Sequence, residues 1–138
     1  MMIKLLPTAL LCFILISFVS STGVGYKTFG NLTELEDAKE IATNFASHLR
    51  ASSSDELHDI IAPGATFYHK RRLNKPDFLK KVERGTYSDL QFSTYDPIVT
   101  FNLAMTTFKI SFMNGSRLSF SVDLGYAQNR LSITSGSF

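Results

Sequence analysis

The sequence predicts an α+β domain: three N-terminal helices packed on a strongly bent antiparallel sheet. Three observations carry this reading. Apolar residues recur at helical spacing from Leu35 to Leu49, and apolar and polar residues alternate with period two from Phe108 to Leu124. Asn114-Gly115, between the two alternating runs, is the strongest short-range signal for a hairpin.

Residues ahead of these elements read as a removable leader. Met1 to Lys4 give a short cationic n-region, and Ala9 to Val19 are almost wholly apolar, as in a secretory h-region. Val19-Ser20-Ser21 places cleavage after Ser21, with Gly23 or Gly25 as alternative edges. A spanning helix needs about 20 predominantly apolar residues and this run is shorter, so no membrane span is expected after cleavage. The expected organisation is therefore a signal peptide over 1–21, one domain over 30–138, and an extracellular location.

Removing the leader changes the other bounds. The whole chain has 14 Lys and Arg against 12 Asp and Glu, and loss of Lys4 leaves a formal charge of +1. That excludes a global polyanion-binding charge. The single cysteine, Cys12, leaves as well, so no disulfide can brace the secreted domain and its core must suffice. A domain of about 117 residues buries roughly two-thirds of its unfolded surface. Twelve phenylalanines in the chain make the aromatic supply for that core generous. Two N-glycosylation sequons, at Asn31 and Asn114, agree with secretion, although Asn114 is also an ordinary turn residue.

The helices come first. Thr33 with Glu36 forms a capping-box pair, and Glu34, Glu36 and Asp37 place negative charge where the helix dipole favours it. Leu35, Ala38, Ile41, Ala42, Phe45, Ala46 and Leu49 then make one apolar stripe. Ser52-Ser53-Ser54 breaks the run. Ser53 with Glu56 starts a short second helix carrying Leu57, Ile60 and Ile61, which Pro63-Gly64 ends. Thr66 to His69 reads as a strand. A third helix is capped by Asn74, has Pro76 in its first turn and Phe78, Leu79 and Val82 on its apolar side, and stops at Gly85.

The remaining chain alternates. Phe108, Ile110 and Phe112 lie on one face against Lys109 and Ser111, and Leu118, Phe120, Val122 and Leu124 on one face against Ser119, Ser121 and Asp123. Leu131 and Ile133 continue the pattern in a last strand. Leu90, Phe92, Ile98 and Phe101 suggest one or two earlier strands interrupted at Asp96-Pro97.

At this point the chain resembles a family. Asp37 to Phe45, Leu57 to Tyr68, Asn74 to Leu79 and the closing Asn129 to Ile133 look like the NTF2-like superfamily, which includes the SnoaL-like proteins. With its leader, the chain is similar to the small secreted NTF2-like proteins of nematodes. Many members carry a tryptophan where this chain has Leu131, and it has none. The resemblance implies a cone whose sheet and helices enclose a pocket. Members include isomerases, dehydratases, ligand binders and inert adaptors, so function must be argued from residues.

Acid–base chemistry in such a pocket needs a carboxylate or histidine facing inward with a second polar group beside it. Parity sends Asp123 outward and leaves Asp96 in a turn. His69, two residues after Phe67, is the one titratable residue that parity sends inward, and the sequence assigns it no acidic partner. A lone histidine at a strand end is more often structural, so His69 is a weak candidate base and the reading leans away from catalysis. His48 and His58 lie on helices, and the three histidines have no metal-ligand spacing, so neither metal nor cofactor is expected. Seven basic residues, Lys70, Arg71, Arg72, Lys75, Lys80, Lys81 and Arg84, oppose only Asp77 and Glu83 between positions 70 and 84. Such a patch suits acidic glycans or lipid head groups, yet a solvated helix face explains it more simply. Without interleaved stacking aromatics it does not suit nucleic acid.

The leading expectation is a non-catalytic pocket, lined by Phe45, Phe67, Phe78, Phe108, Phe112 and Phe120, holding a small apolar molecule. The same rings could instead fill the core completely. An isomerase- or lyase-like enzyme using His69 and an interaction module using segment 70–84 are the alternatives. The resemblance also implies dimerisation through the outer sheet face, where Lys109, Ser111, Ser119, Ser121 and Asp123 make a polar surface.

Overall fold

Helix α1 spans Leu32–Arg50, starting one residue before the expected cap. The computed structural model describes residues 32–138. The expected signal peptide and the sequon asparagine Asn31 lie outside them. Asp37–Phe138 forms one compact unit, and the packing described below is that unit's own. Of the stripe foreseen on α1, Ala38, Ala42, Phe45, Ala46 and Leu49 are wholly shielded from solvent, and Leu35 and Ile41 are half-buried.

Helix α2 (Ser54–Ile60) starts at the expected cap, Ser53, whose side chain makes no capping hydrogen bond. Ile61, expected in this helix, instead opens strand β1 (Ile61–His69), and Pro63-Gly64 lie within that strand. Register explains why proline is tolerated there. The pairing of β1 jumps from Ile61 opposite Ile133 to Thr66 opposite Ser135, so Pro63 falls where no regular ladder requires its N–H.

Lys70, at φ +66°, turns the chain into β2 (Arg71–Asn74), a strand the sequence pattern does not announce. Helix α3 (Lys75–Glu83) follows as foreseen. The Asn74 side chain accepts from the Asp77 N–H at 2.9 Å, and Gly85, at φ +79°, closes the helix by donating its N–H to the Val82 carbonyl. The three helices are therefore not consecutive: a hairpin separates the third from the first two.

No strand forms around Leu90 and Phe92. Phe92 is buried instead beneath Arg50, whose guanidinium lies 3.6 Å from the ring centroid and also donates to the Phe92 carbonyl. Four strands then follow, β3 (Ile98–Asn102), β4 (Thr107–Asn114), β5 (Arg117–Ala127) and β6 (Arg130–Ser137). The β4–β5 connection is the expected Asn-Gly hairpin, with Gly115 at φ +63°.

The sheet order is β2-β1-β6-β5-β4-β3, with no closure. It is mixed rather than antiparallel, because β6 returns between β5 and β1 and runs parallel to β1. Two bulges modify the foreseen faces. Ser119 is the extra residue between Phe112 opposite Phe120 and Met113 opposite Leu118. It turns Leu118 outward, where it is exposed rather than buried. Thr134 is the extra residue between Asp123 opposite Ser135 and Leu124 opposite Ile133. Inner positions Ile110, Val122, Leu124 and Ile133 have no exposed surface.

Candidate functional site

The inner face gathers aromatic rings. Phe67 and Phe78 stack with centroids 3.9 Å apart, Phe45 stacks on both, and Phe112 stacks on Phe120 at 4.8 Å. Phe45 also meets Phe120, so five of the six candidate pocket residues form one connected, fully buried cluster. Phe108 stands apart, against Phe101 on the neighbouring strand. Four hollows among the described residues open elsewhere, and none of these six residues lines them.

Gly136 makes the central stack possible. A Cβ on Gly136 would stand 2.8 Å from the edge of the Phe67 ring, so only glycine lets that ring lie across β6. Tyr87 and Phe138, which belong to no periodic segment, complete the cluster at one end. The Phe138 ring contacts those of Phe78, Tyr87 and Phe120 at 4.8–5.5 Å, and its backbone N–H donates to the Tyr68 carbonyl at 2.8 Å.

His69 sits at this end. Its parity is as foreseen, and its Nδ1 lies 3.1 Å from the Tyr87 hydroxyl, a hydrogen bond that either imidazole tautomer permits. Burial, then the charges of Lys81 and Lys70, lower the His69 pKa from 6.5, favouring the neutral ring. Burial alone pushes the Tyr87 hydroxyl up to about 12, so it stays protonated. The pair is thus a neutral donor–acceptor couple bordering an apolar cluster. His48 and His58 join no such arrangement; His58 Nδ1 lies 3.8 Å from the Asp59 carboxylate, with both side chains exposed. Among the described residues no group of three His, Cys, Asp or Glu is placed to hold a metal ion, and no helix is long and apolar enough to cross a membrane.

The basic segment does not form one surface. Lys75 is buried, and its Nζ donates to the His58 and Ile61 carbonyls at 2.7 and 2.8 Å, tying the end of α2 and the start of β1 to α3. Burial lowers its pKa, the nearby Asp59 charge opposes that, and Arg130 adds to it. Arg71 lies opposite His69 and Arg72 opposite Tyr68, so strand alternation sends the two arginines to opposite faces. Both stand on an edge strand, where cations deter pairing with another sheet. Lys70, Lys80 and Arg84 are exposed and Lys81 half-buried. Asn114 is exposed at the hairpin tip. No protein-family model, curated protein or solved structure matches the chain.

Proposed function

We propose that the chain is a secreted NTF2-like protein, without catalytic role, that takes a small apolar ligand among the inner-face aromatics. The α+β order of elements and a sheet with one aromatic face support the fold reading. The single observation carrying the ligand reading is the Phe138 ring. It is the one half-exposed phenylalanine ring in a cluster otherwise buried, and swinging it out would vacate a site walled by Phe67, Phe78, Tyr87 and Phe120. An apolar guest of about one ring would replace the contacts Phe138 gives up.

Native mass spectrometry of the protein secreted by a eukaryotic host is the direct test. The expected spectrum lacks residues 1–21, carries glycan mass at Asn31 or Asn114, and includes a co-purified small molecule. In parallel, Phe138→Ala should gain thermal stability on adding toluene or indole. An empty protein that still has its leader, together with a variant that neither aromatic stabilises, would sink the proposal.

The His69–Tyr87 contact favours a second reading, an isomerase- or lyase-like enzyme in which His69 takes a proton and Tyr87 donates to the developing oxyanion. Deuterium incorporation next to the carbonyl of a small cyclic ketone that disappears in His69→Ala would support it. Incorporation equal in the variant, or none, removes it.

A further inference from the structure

The outer face of the sheet carries a hollow of about 560 Å³ across β3 to β6, within the size of small-molecule sites. Its floor comes from register. Thr100, Lys109, Asp123 and Ser135 lie directly opposite one another across four neighbouring strands. The bulge at Thr134 then puts two successive hydroxyl residues, Thr134 and Ser135, beside Asp123. Bulges are enriched where a side chain must be re-aimed.

The polar groups are held in place. Ser135 Oγ donates to Asp123 Oδ2 at 2.6 Å, and Thr134 Oγ1 donates to the Asp123 carbonyl at 3.2 Å. Half-buried Asp123 is thereby oriented, and exposed Lys109 faces it from β4 without an ion pair among the described residues. Gly125 lies beside the lining and lets two of its side chains approach: a Cβ there would meet the Thr107 methyl at 3.2 Å and the Thr134 methyl at 3.5 Å. Leu103 and Met105, both more than half exposed, supply an apolar rim on the β3–β4 turn.

We propose that this hollow binds a pyranose, as a free sugar or as a glycan terminus, with its hydroxyls on the Lys109–Asp123–Ser135 row and its C–H surface against the Leu103–Met105 rim. Sugar hydroxyls both donate and accept. The floor offers a cationic donor, an anionic acceptor and hydroxyls that do either. One cation cancelled by one anion disfavours phosphates and carboxylates, and the polar floor disfavours hydrocarbon. The site is on the opposite face from the aromatic cluster, so it stands or falls independently of the apolar-ligand reading.

The test is an amide-resolved NMR titration of the full chain with glucose, galactose, mannose, N-acetylglucosamine and their disaccharides. Glycine and free lysine serve as zwitterionic controls. A pyranose should perturb the amides of Lys109, Asp123, Thr134 and Ser135. Loss of a charged hydrogen-bond partner in Asp123→Asn should weaken its binding about tenfold, and Lys109→Ala severalfold. A disaccharide binding more tightly than its monosaccharide identifies a glycan terminus, and equal affinity a free sugar. Absence of perturbation by every sugar, equal or tighter binding of a zwitterion, or unchanged binding by both Asp123→Asn and Lys109→Ala overturns the proposal.

Discussion

The two faces of the sheet handle space in opposite ways. On the inner face Gly136 admits the Phe67 ring and ring stacks on ring; on the outer face Gly125 seats the Thr107 and Thr134 methyls at the border of an open hollow. The same residue type thus lies against a pinned ring on one side and against threonine methyls at the edge of open space on the other. Burial sets the difference: inner aromatics gain stability only by excluding water, whereas outer hydroxyls lose nothing by staying wet.

The largest break in this comparison should come from Phe67→Ala. It removes a fully buried ring stacked on Phe78, and a loss of about 3–5 kcal/mol is expected by urea denaturation. Gly136→Ala should follow at about 1–3 kcal/mol, because the Phe67 ring it meets is pinned by Phe78 and cannot retreat. Gly125→Ala should cost less than about 1 kcal/mol, since the Thr107 methyl stands at a tighter but tolerable 3.2 Å and its side chain can turn into the hollow. Equal costs for the two glycine substitutions would contradict the contrast between the faces.

The smallest effect concerns the border of the aromatic cluster. His69 has its folded-state pKa lowered, so the unfolded chain takes up the proton first as acid is added. Its contribution to stability is complete above about pH 6.5 and is lost as the pH falls from there through the folded-state pKa. His69→Gln should flatten that part of the stability profile, measured as the urea midpoint on either side of pH 6.5. An unchanged slope would remove His69 from the acid response.

Local chemistry was legible and pairing was not. The cap at Asn74, the stop at Gly85 and the turn at Asn114-Gly115 each act within a few residues, so their types reveal them. The bulges at Ser119 and Thr134 alter which face a neighbour occupies only once a partner strand is in place, which is why Leu118 reads as buried and stands exposed. Lys75 reads as a surface cation because the carbonyls it satisfies belong to α2 and β1. Of the candidate site, Phe45, Phe67 and Phe78 follow from periodicity. Tyr87 and Phe138 have no repeating neighbours, and no local pattern marks them. The Asp123 hollow was hidden for the same reason as the bulge that builds it.

The return of β6 between β1 and β5 has a kinetic consequence. Within the sheet it alone joins the β2–β1 pair to the β5-β4-β3 meander, its partners on β1 lying about half the chain away. Until β6 docks, each half presents a raw edge and an uncovered aromatic side, the combination that invites aggregation. Loop-closure entropy opposes this docking before any contact rewards it, and the seat of the Phe67 ring on Gly136 waits for it, whereas the pairing of β3, β4 and β5 does not.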